Sequence, residues 1–196
     1  MRQLKISLMG AVNPSEKTYF ETSVFSHAKN RFLWLLILML SSTITGTIIT
    51  QYENAFAAIP LLVSFIPMLM DTGGNCGSQS STLIIRGLAL DEIRFKDIFR
   101  VIFKEFRVAL LVSLGLALAN GLRIFIMYKD LKLAVVIGLS LICTVILSKI
   151  IGCILPLFAK KINLDPAIMA APLITTLVDT CSIIIYFTIA THIFQL

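Results

Sequence analysis

Long apolar runs separated by short polar segments dominate the chain. Five of these runs reach the roughly 20 residues that an α-helix needs to cross a hydrocarbon core about 30 Å thick. The runs occupy residues 32–50, 55–77, 108–127, 133–158 and 167–194. This pattern predicts an all-α membrane protein with five transmembrane helices and with its termini on opposite sides of the membrane.

Composition also indicates a membrane protein. Hydrophobic residues make up 57% of the 196 residues and charged residues only 14%, which separates the chain from ordinary soluble domains. We divide it into a leader at residues 1–30 and a membrane domain at residues 31–196. The leader forms either an interfacial helix over residues 18–30 or a loosely ordered segment. We expect no cleavable signal peptide, because the first apolar run is too long for one.

The net charge of +6 follows membrane topology and gives no reason to expect nucleic acid as a partner. Basic residues concentrate in the segments on one predicted side: Arg2, Lys5, Lys17, Lys29, Arg31, then Arg86, Arg94, Lys96, Arg100, Lys104 and Arg107, and finally Lys160 and Lys161. The segments on the other side contain Arg123, Lys129 and Lys132. Because cytoplasmic loops are enriched in Lys and Arg, we expect the N-terminus in the cytoplasm and the C-terminus outside.

A row of polar residues interrupts the second apolar run. Its members recur every three or four residues and so share one face of a helix: Asp71, Asn75, Ser78, Gln79, Thr82 and Arg86. Gly73, Gly74 and Gly77 lie beside this row, where they permit either close helix approach or local unwinding that exposes carbonyl oxygens. The row lines a wet pathway or, alternatively, merely bonds to neighbouring helices.

A second polar row with the same period follows the fifth apolar run. It consists of Pro172, Thr175, Thr176, Asp179, Ser182 and Tyr186. Asp179 falls near mid-membrane, where an ionised carboxylate costs about 2.5–3.5 kcal/mol even on lenient scales, so it needs a cation, water or a partner. Lys149 in the fourth run is the alternative partner, unless its side chain extends toward the cytoplasmic face.

The two rows predict a chemistry. Carboxylates together with hydroxyl and amide oxygens suit a hard divalent cation. The four cysteines form no CxxC pair and are expected to be free thiols, and no nucleophile and base pair indicates an enzyme. Three functions stay open: a passive divalent-cation channel, a proton- or sodium-coupled carrier that uses Asp71 or Asp179, and a non-conducting membrane subunit.

The second run also carries a sequence signature. Residues 67–70 read PMLM, residues 72–75 read TGGN, and Gly77, Gln79, Thr82 and the segment RGLA at residues 86–89 follow. Together with the start of the first span at residues 31–35, the DPA turn at residues 165–167 and PLITT at residues 172–176, this signature resembles the MgtE family of magnesium channels and transporters. The resemblance extends over the five-span region from Arg31 onward.

The resemblance implies a homodimer in the lipid bilayer of the bacterial inner membrane, with a pore on the two-fold axis lined by the second and fifth spans of both copies. It implies transport of Mg²⁺, or of another divalent cation, as a hydrated ion near Asp179 and near the backbone carbonyls of Thr175 and Ser182. Asp71 and Asn75 are further candidates for metal binding. The candidates for lining the pore are Gly73, Gly74, Gly77, Gln79, Thr82, Thr176 and Pro172.

The chain departs from the family pattern in three respects. Asp71 precedes the TGGN motif, where a small or apolar residue is expected, and Ser182 stands where glycine is common. The cytoplasmic N domain and CBS pair of full-length relatives have no counterpart in the sequence, so it is either part of a longer protein or, as we expect, a naturally minimal member. Regulation by Mg²⁺ then uses ligands in the membrane domain or at its cytoplasmic mouth. The candidates at the mouth are Asp165, Asp91, Glu92 and Asp97. Asp165 is alternatively a helix cap.

Overall fold

The computed structural model describes residues 20–164, residue 166 and residues 171–196, and every regular element in them is helical. Six α-helices are present in this part of the chain: α1 Val24–Gln51, α2 Glu53–Ala58, α3 Ile66–Ala89, α4 Ile98–Tyr128, α5 Leu131–Lys161 and α6 Ala171–Phe194. Short 3₁₀ helices at Pro60–Phe65 and Phe95–Asp97 precede α3 and α4. The prediction of an all-α fold is confirmed.

Four of these helices are long and apolar enough to cross a membrane, namely α1, α4, α5 and α6. Helix α3 has 24 residues and therefore a length of about 36 Å, but it carries the polar row and lacks a sufficiently apolar stretch. A crossing by α3, and with it the count of five spans, stays a prediction.

The predicted bounds of the second span, residues 55–77, are wrong. Helix α2 ends at Ala58, a 3₁₀ turn follows from Pro60, and α3 begins only at Ile66. Pro60 has no backbone N–H and a fixed φ, so α2 cannot continue past it. The residues around Pro60 are apolar, so hydropathy alone does not indicate this break. As a result, the whole polar row from Asp71 to Arg86 lies within one helix, α3.

Two other predicted boundaries also shift. The sequence also predicts a charged connector between spans at residues 86–107. The connector is shorter, because α3 continues to Ala89 and α4 begins at Ile98. Helix α1 begins at Val24, with the N–H of Ser26 bonded to the Ser23 hydroxyl oxygen at 3.3 Å. The final turns of the predicted leader therefore belong to the first long helix, and residues 1–19 lie outside the described part of the chain.

Helix α5 is the most enclosed of the long helices, whereas α1 is the most exposed. One apolar cluster joins α3, α4, α5 and α6 through Leu69, Ile124, Ile137 and Phe187. A second cluster packs the end of α3 against the end of α5, around Leu88 and Leu157. Both clusters leave one face of α3 uncovered.

Glycine residues bring α3 into backbone contact with α5. A Cβ placed on Gly152 would collide with the backbone of Gly77, so neither position has room for a side chain. The Ser148 hydroxyl of α5 donates to the Gly73 carbonyl of α3. Since α3 is helical throughout, the glycines act here through close helix approach, the first of the two predicted roles, and not through unwinding.

This contact predicts a large difference between two glycine substitutions. Gly152→Ala should destabilise the protein by about 1–3 kcal/mol, because the added methyl group must separate two backbones that cannot deform. Gly115→Ala in α4 is the matched control, since a Cβ there meets nothing within 4 Å. Thermal unfolding in detergent, followed by circular dichroism, measures both. Equal melting temperatures for the two variants would contradict the packing described here.

Candidate functional site

A groove with a volume of about 420 Å³ opens between α3 and α6 on the uncovered face. Both carboxylates predicted to bind metal, Asp71 and Asp179, line it together with Asn75 and Thr175. The remaining lining residues are Ile66, Pro67, Met70 and Gly74. The structure therefore brings together four of the five residues predicted as metal ligands.

Helical periodicity accounts for both walls of the groove. Asp71 and Asn75 are four residues apart on α3, and Thr175 and Asp179 are four residues apart on α6, so each pair shares a helix face. Gly74 lets the two walls meet, because a Cβ at that position would lie 2.8 Å from Cγ2 of Thr175. Val178 of α6 is buried beside this face and packs against α3, where its Cγ1 lies 2.8 Å from a Cβ placed on Gly73.

The polar row of α3 continues beyond this groove. A second recess of about 600 Å³ is lined by Asn75, Ser78, Gln79, Thr82 and Leu83. Asn75 belongs to both recesses, and the side chains of Gln79 and Thr82 are exposed. A continuous polar surface therefore extends along α3 from Asp71 to Thr82.

Other predicted site residues lie at helix contacts. Ser182 is buried, and its hydroxyl donates to the Val178 carbonyl at 2.7 Å, so its side chain is directed into helix packing. Gly73 and Gly77 also face the packed side of α3. The hydroxyls of Thr175 and Thr176 both donate to the Pro172 carbonyl, at 3.0 and 2.9 Å. A contribution of the Ser182 backbone carbonyl to ion binding stays a prediction.

The candidates for the cytoplasmic mouth do not converge on the groove. Asp91 and Glu92 are exposed at the turn after α3, where Asp91 has a positive φ of 58°. Asp97 accepts a hydrogen bond of 3.0 Å from the backbone N–H of Arg94, which stabilises the turn into α4. Asp165 lies outside the described residues. A regulatory role for these carboxylates stays a prediction.

Comparison with known proteins covers the part of the chain from α3 to α6. Residues 66–189, which include both walls of the groove, match the family model for MgtE, described as a divalent cation transporter. The chain belongs to the MgtE family. The family resemblance expected from the signature in the second run is thereby confirmed.

Three proteins named magnesium transporter MgtE are similar to this MgtE-family chain. The one from Bacillus subtilis is 37% identical over 88% of this chain and 38% of its own length. The one from Thermus thermophilus is 35% identical over 94% of this chain and 41% of its own length, and that from Enterococcus faecalis is 31% identical over 83% and 36%. The chain thus spans about two fifths of the length of these relatives.

A buried charged cluster in this MgtE-family chain was not predicted from the sequence. Glu105 of α4 and Lys149 of α5 are only 9% and 5% exposed, with 3.8 Å between Oε2 and Nζ. Ser80 of α3 donates to Glu105 Oε2 at 2.7 Å and accepts from Lys149 Nζ at 3.3 Å. The partner of Lys149 is therefore Glu105, and the alternative pairing of Lys149 with Asp179 is wrong.

The cluster escaped prediction because Glu105 was assigned to the charged connector. One signal was present in the sequence. Glu105, Ala109 and Ser113 recur every four residues, and all three are buried along α4. A carboxylate at the head of such a row marks the inner face of a helix.

Removing one partner of the pair formed by Glu105 and Lys149 should lower the free energy of unfolding more than removing both partners. Lys149→Met leaves the Glu105 carboxylate buried without its cation, and we expect a loss of about 3–5 kcal/mol in the free energy of unfolding. The double variant Lys149→Met, Glu105→Leu removes both charges and should recover most of that loss. Thermal unfolding of both variants, with Lys132→Met as an exposed control, tests this. A double variant no more stable than the single one would contradict a direct pairing.

Proposed function

We propose that this chain forms a homodimeric pore for divalent cations, foremost Mg²⁺, lined by α3 and α6 of both copies. The observation that carries the proposal is the groove in which Asp71 and Asp179 face one space together with Asn75 and Thr175. Names of the relatives, each a magnesium transporter, agree with this ion.

The size and chemistry of the groove suit a hydrated ion. Mg²⁺ gives up water reluctantly and binds through one or two carboxylates while retaining several waters. Six waters at about 30 Å³ each occupy roughly 180 Å³, which fits within the groove volume of about 420 Å³. Carboxylate, amide and hydroxyl oxygens would accept hydrogen bonds from the waters of that hydration shell.

A second copy explains the exposed polar face of α3. Asp71, Asn75, Gln79, Thr82 and Arg86 are all exposed on a single chain. Hydrocarbon cannot satisfy such groups, so they must face water or protein. A two-fold axis along this face would place the same row opposite itself and enclose water between the copies. Repulsion among the facing carboxylates would favour a divalent cation at the axis.

The basic residues support an orientation for the pore. The connection between α3 and α4 and the end of α5 carry many Lys and Arg residues, which favours their location in the cytoplasm. With that orientation the N-terminus is cytoplasmic, the C-terminus is outside, and ions enter the Asp179 groove from the outer end of α3. The bacterial inner membrane is the expected location.

Neutralising Asp179 tests the proposed function. Asp179→Asn preserves shape and removes the charge, so Mg²⁺ flux into liposomes containing the purified chain should fall at least tenfold, which corresponds to about 1.4 kcal/mol in ion stabilisation. Asp130→Asn is the matched control, because Asp130 caps α5 by accepting a bond from Leu133 N–H and asparagine caps equally well. Unchanged flux in Asp179→Asn would overturn the assignment of this groove.

The same liposomes separate the competing transport classes. For a passive pore, Mg²⁺ flux at fixed membrane potential should not depend on a pH or Na⁺ gradient. Flux that follows either gradient would instead identify a coupled carrier, with Asp71 and Asp179 as the coupling carboxylates. Absence of flux from a dimer that retains its helical content would identify a non-conducting subunit.

A further inference from the structure

We infer that the chain binds the headgroups of anionic phospholipids on a basic surface at the start of α4 and the end of α5. We define this basic surface as Arg94, Lys96, Arg100, Lys104, Arg107, Lys160 and Lys161, all of which are exposed. The inference goes beyond ion transport and requires only that the long apolar helices lie in a bilayer.

Aromatic contacts join the separate parts of the basic surface. Lys161 Nζ lies 4.5 Å from the centre of the Phe95 ring, and the Phe95 ring packs against Phe158 with centroids 5.7 Å apart. These contacts fix the end of α5 beside the turn that precedes α4. Basic residues from two segments that are distant in sequence, residues 94–107 and residues 160–161, therefore converge at one end of the helix bundle.

The first turns of α4 have two distinct faces. Ile98, Val101 and Ile102 pack against the end of α5. The outward face alternates aromatic and basic residues. Phe99 is 83% exposed and Phe103 is 64% exposed, and the basic residues beside them are Arg100, Lys104 and Arg107. Arg107 lies over the Phe103 ring, with 5.9 Å from Cζ to the ring centre. Exposed phenyl rings and cations in alternation suit the boundary between acyl chains and headgroups.

The length of α4 places these turns at headgroup depth. Its 31 residues extend about 46 Å, whereas the hydrocarbon core is about 30 Å thick. For a helix close to the membrane normal, roughly ten residues of α4 therefore lie outside the core. The cations Arg100, Lys104 and Arg107 occupy the first ten residues of the helix, which identifies that end as the excess.

Few acidic groups oppose the basic surface. Glu105 is the acidic residue of this part of α4, and it is turned inward to Lys149. Asp97 is bonded to the Arg94 backbone, while Asp91 and Glu92 are exposed at the preceding turn. Among the described residues, seven cations and three carboxylates therefore lie at this end of the bundle. This excess favours anionic lipid, whose surface potential attracts basic residues within a Debye length.

Lipid retention by the purified protein tests the inference. The protein in detergent is incubated with phosphatidylglycerol and phosphatidylcholine that have identical acyl chains. Native mass spectrometry then counts the retained lipids of each kind. The wild-type protein should prefer phosphatidylglycerol. Each basic residue removed should lower that preference about fivefold, so Arg100→Gln, Lys104→Gln should nearly abolish it.

Controls distinguish a specific basic surface from general attraction. Lys129→Gln, Lys132→Gln removes two exposed cations at the opposite end of α4 and α5 and should keep the preference. Arg100→Lys preserves charge and should also keep it. An equal loss of the preference for phosphatidylglycerol in the two double variants, or no preference in the wild-type protein, would overturn the inference. Displacement of phosphatidylglycerol by inorganic phosphate at the same concentration as the lipid would also overturn it.

A measurement on the wild-type protein guards against a folding defect in the variants. The preference for phosphatidylglycerol should fall sharply between 0.1 M and 1 M salt, because the Debye length shrinks from about 10 Å to about 3 Å. A preference that is independent of salt would overturn an electrostatic headgroup site, whatever the variants show.

Discussion

The backbone contact of α3 with α5 at Gly77 and Gly152 is the constraint on which the rest of the structure depends. Lipid tails are as apolar as the side chains, so helices in a membrane associate through close packing and polar contacts. With Gly73 and Gly77 on its inner face, α3 approaches α5 closely at these positions, while Asp71 and Asn75 lie on its exposed face. The absence of a side chain at Gly74 likewise lets α6 approach α3 at Thr175. This approach brings Thr175 and Asp179 to the groove.

Polar contacts complement this packing and fix the register of the helices. Ser148 bonds the Gly73 carbonyl, and Ser80 bonds the pair formed by Glu105 and Lys149. A slip of one residue along α3 would leave these buried groups without partners, which costs about 1–3 kcal/mol for each group and more for the charged ones. Glycine therefore sets how close the helices lie, and the buried charges set how they align. Both are required for two rigid groove walls.

Sequence periodicity predicted each wall of the groove but not the contacts between helices. Asp71 with Asn75, and Thr175 with Asp179, follow from a 3.6-residue period that acts within one helix. The partner of Lys149 depends on α4, α5 and α3 together, and three segments distant in sequence carry no such period. The start of α3 was misplaced because hydropathy does not register the break at Pro60. Ser182 was assigned to the polar row, whereas neighbouring helices bury its side chain.

The position of a bound ion tests the proposed pore most directly. Mn²⁺ shares the preference of Mg²⁺ for carboxylate and water oxygens and scatters anomalously, so it can be located in crystals of the protein. We expect Mn²⁺ between the Asp179 carboxylates of two copies that face each other through α3 and α6. Mn²⁺ bound only at Asp91 and Glu92, or copies that meet through α1 with the groove open to lipid, would contradict a shared pore.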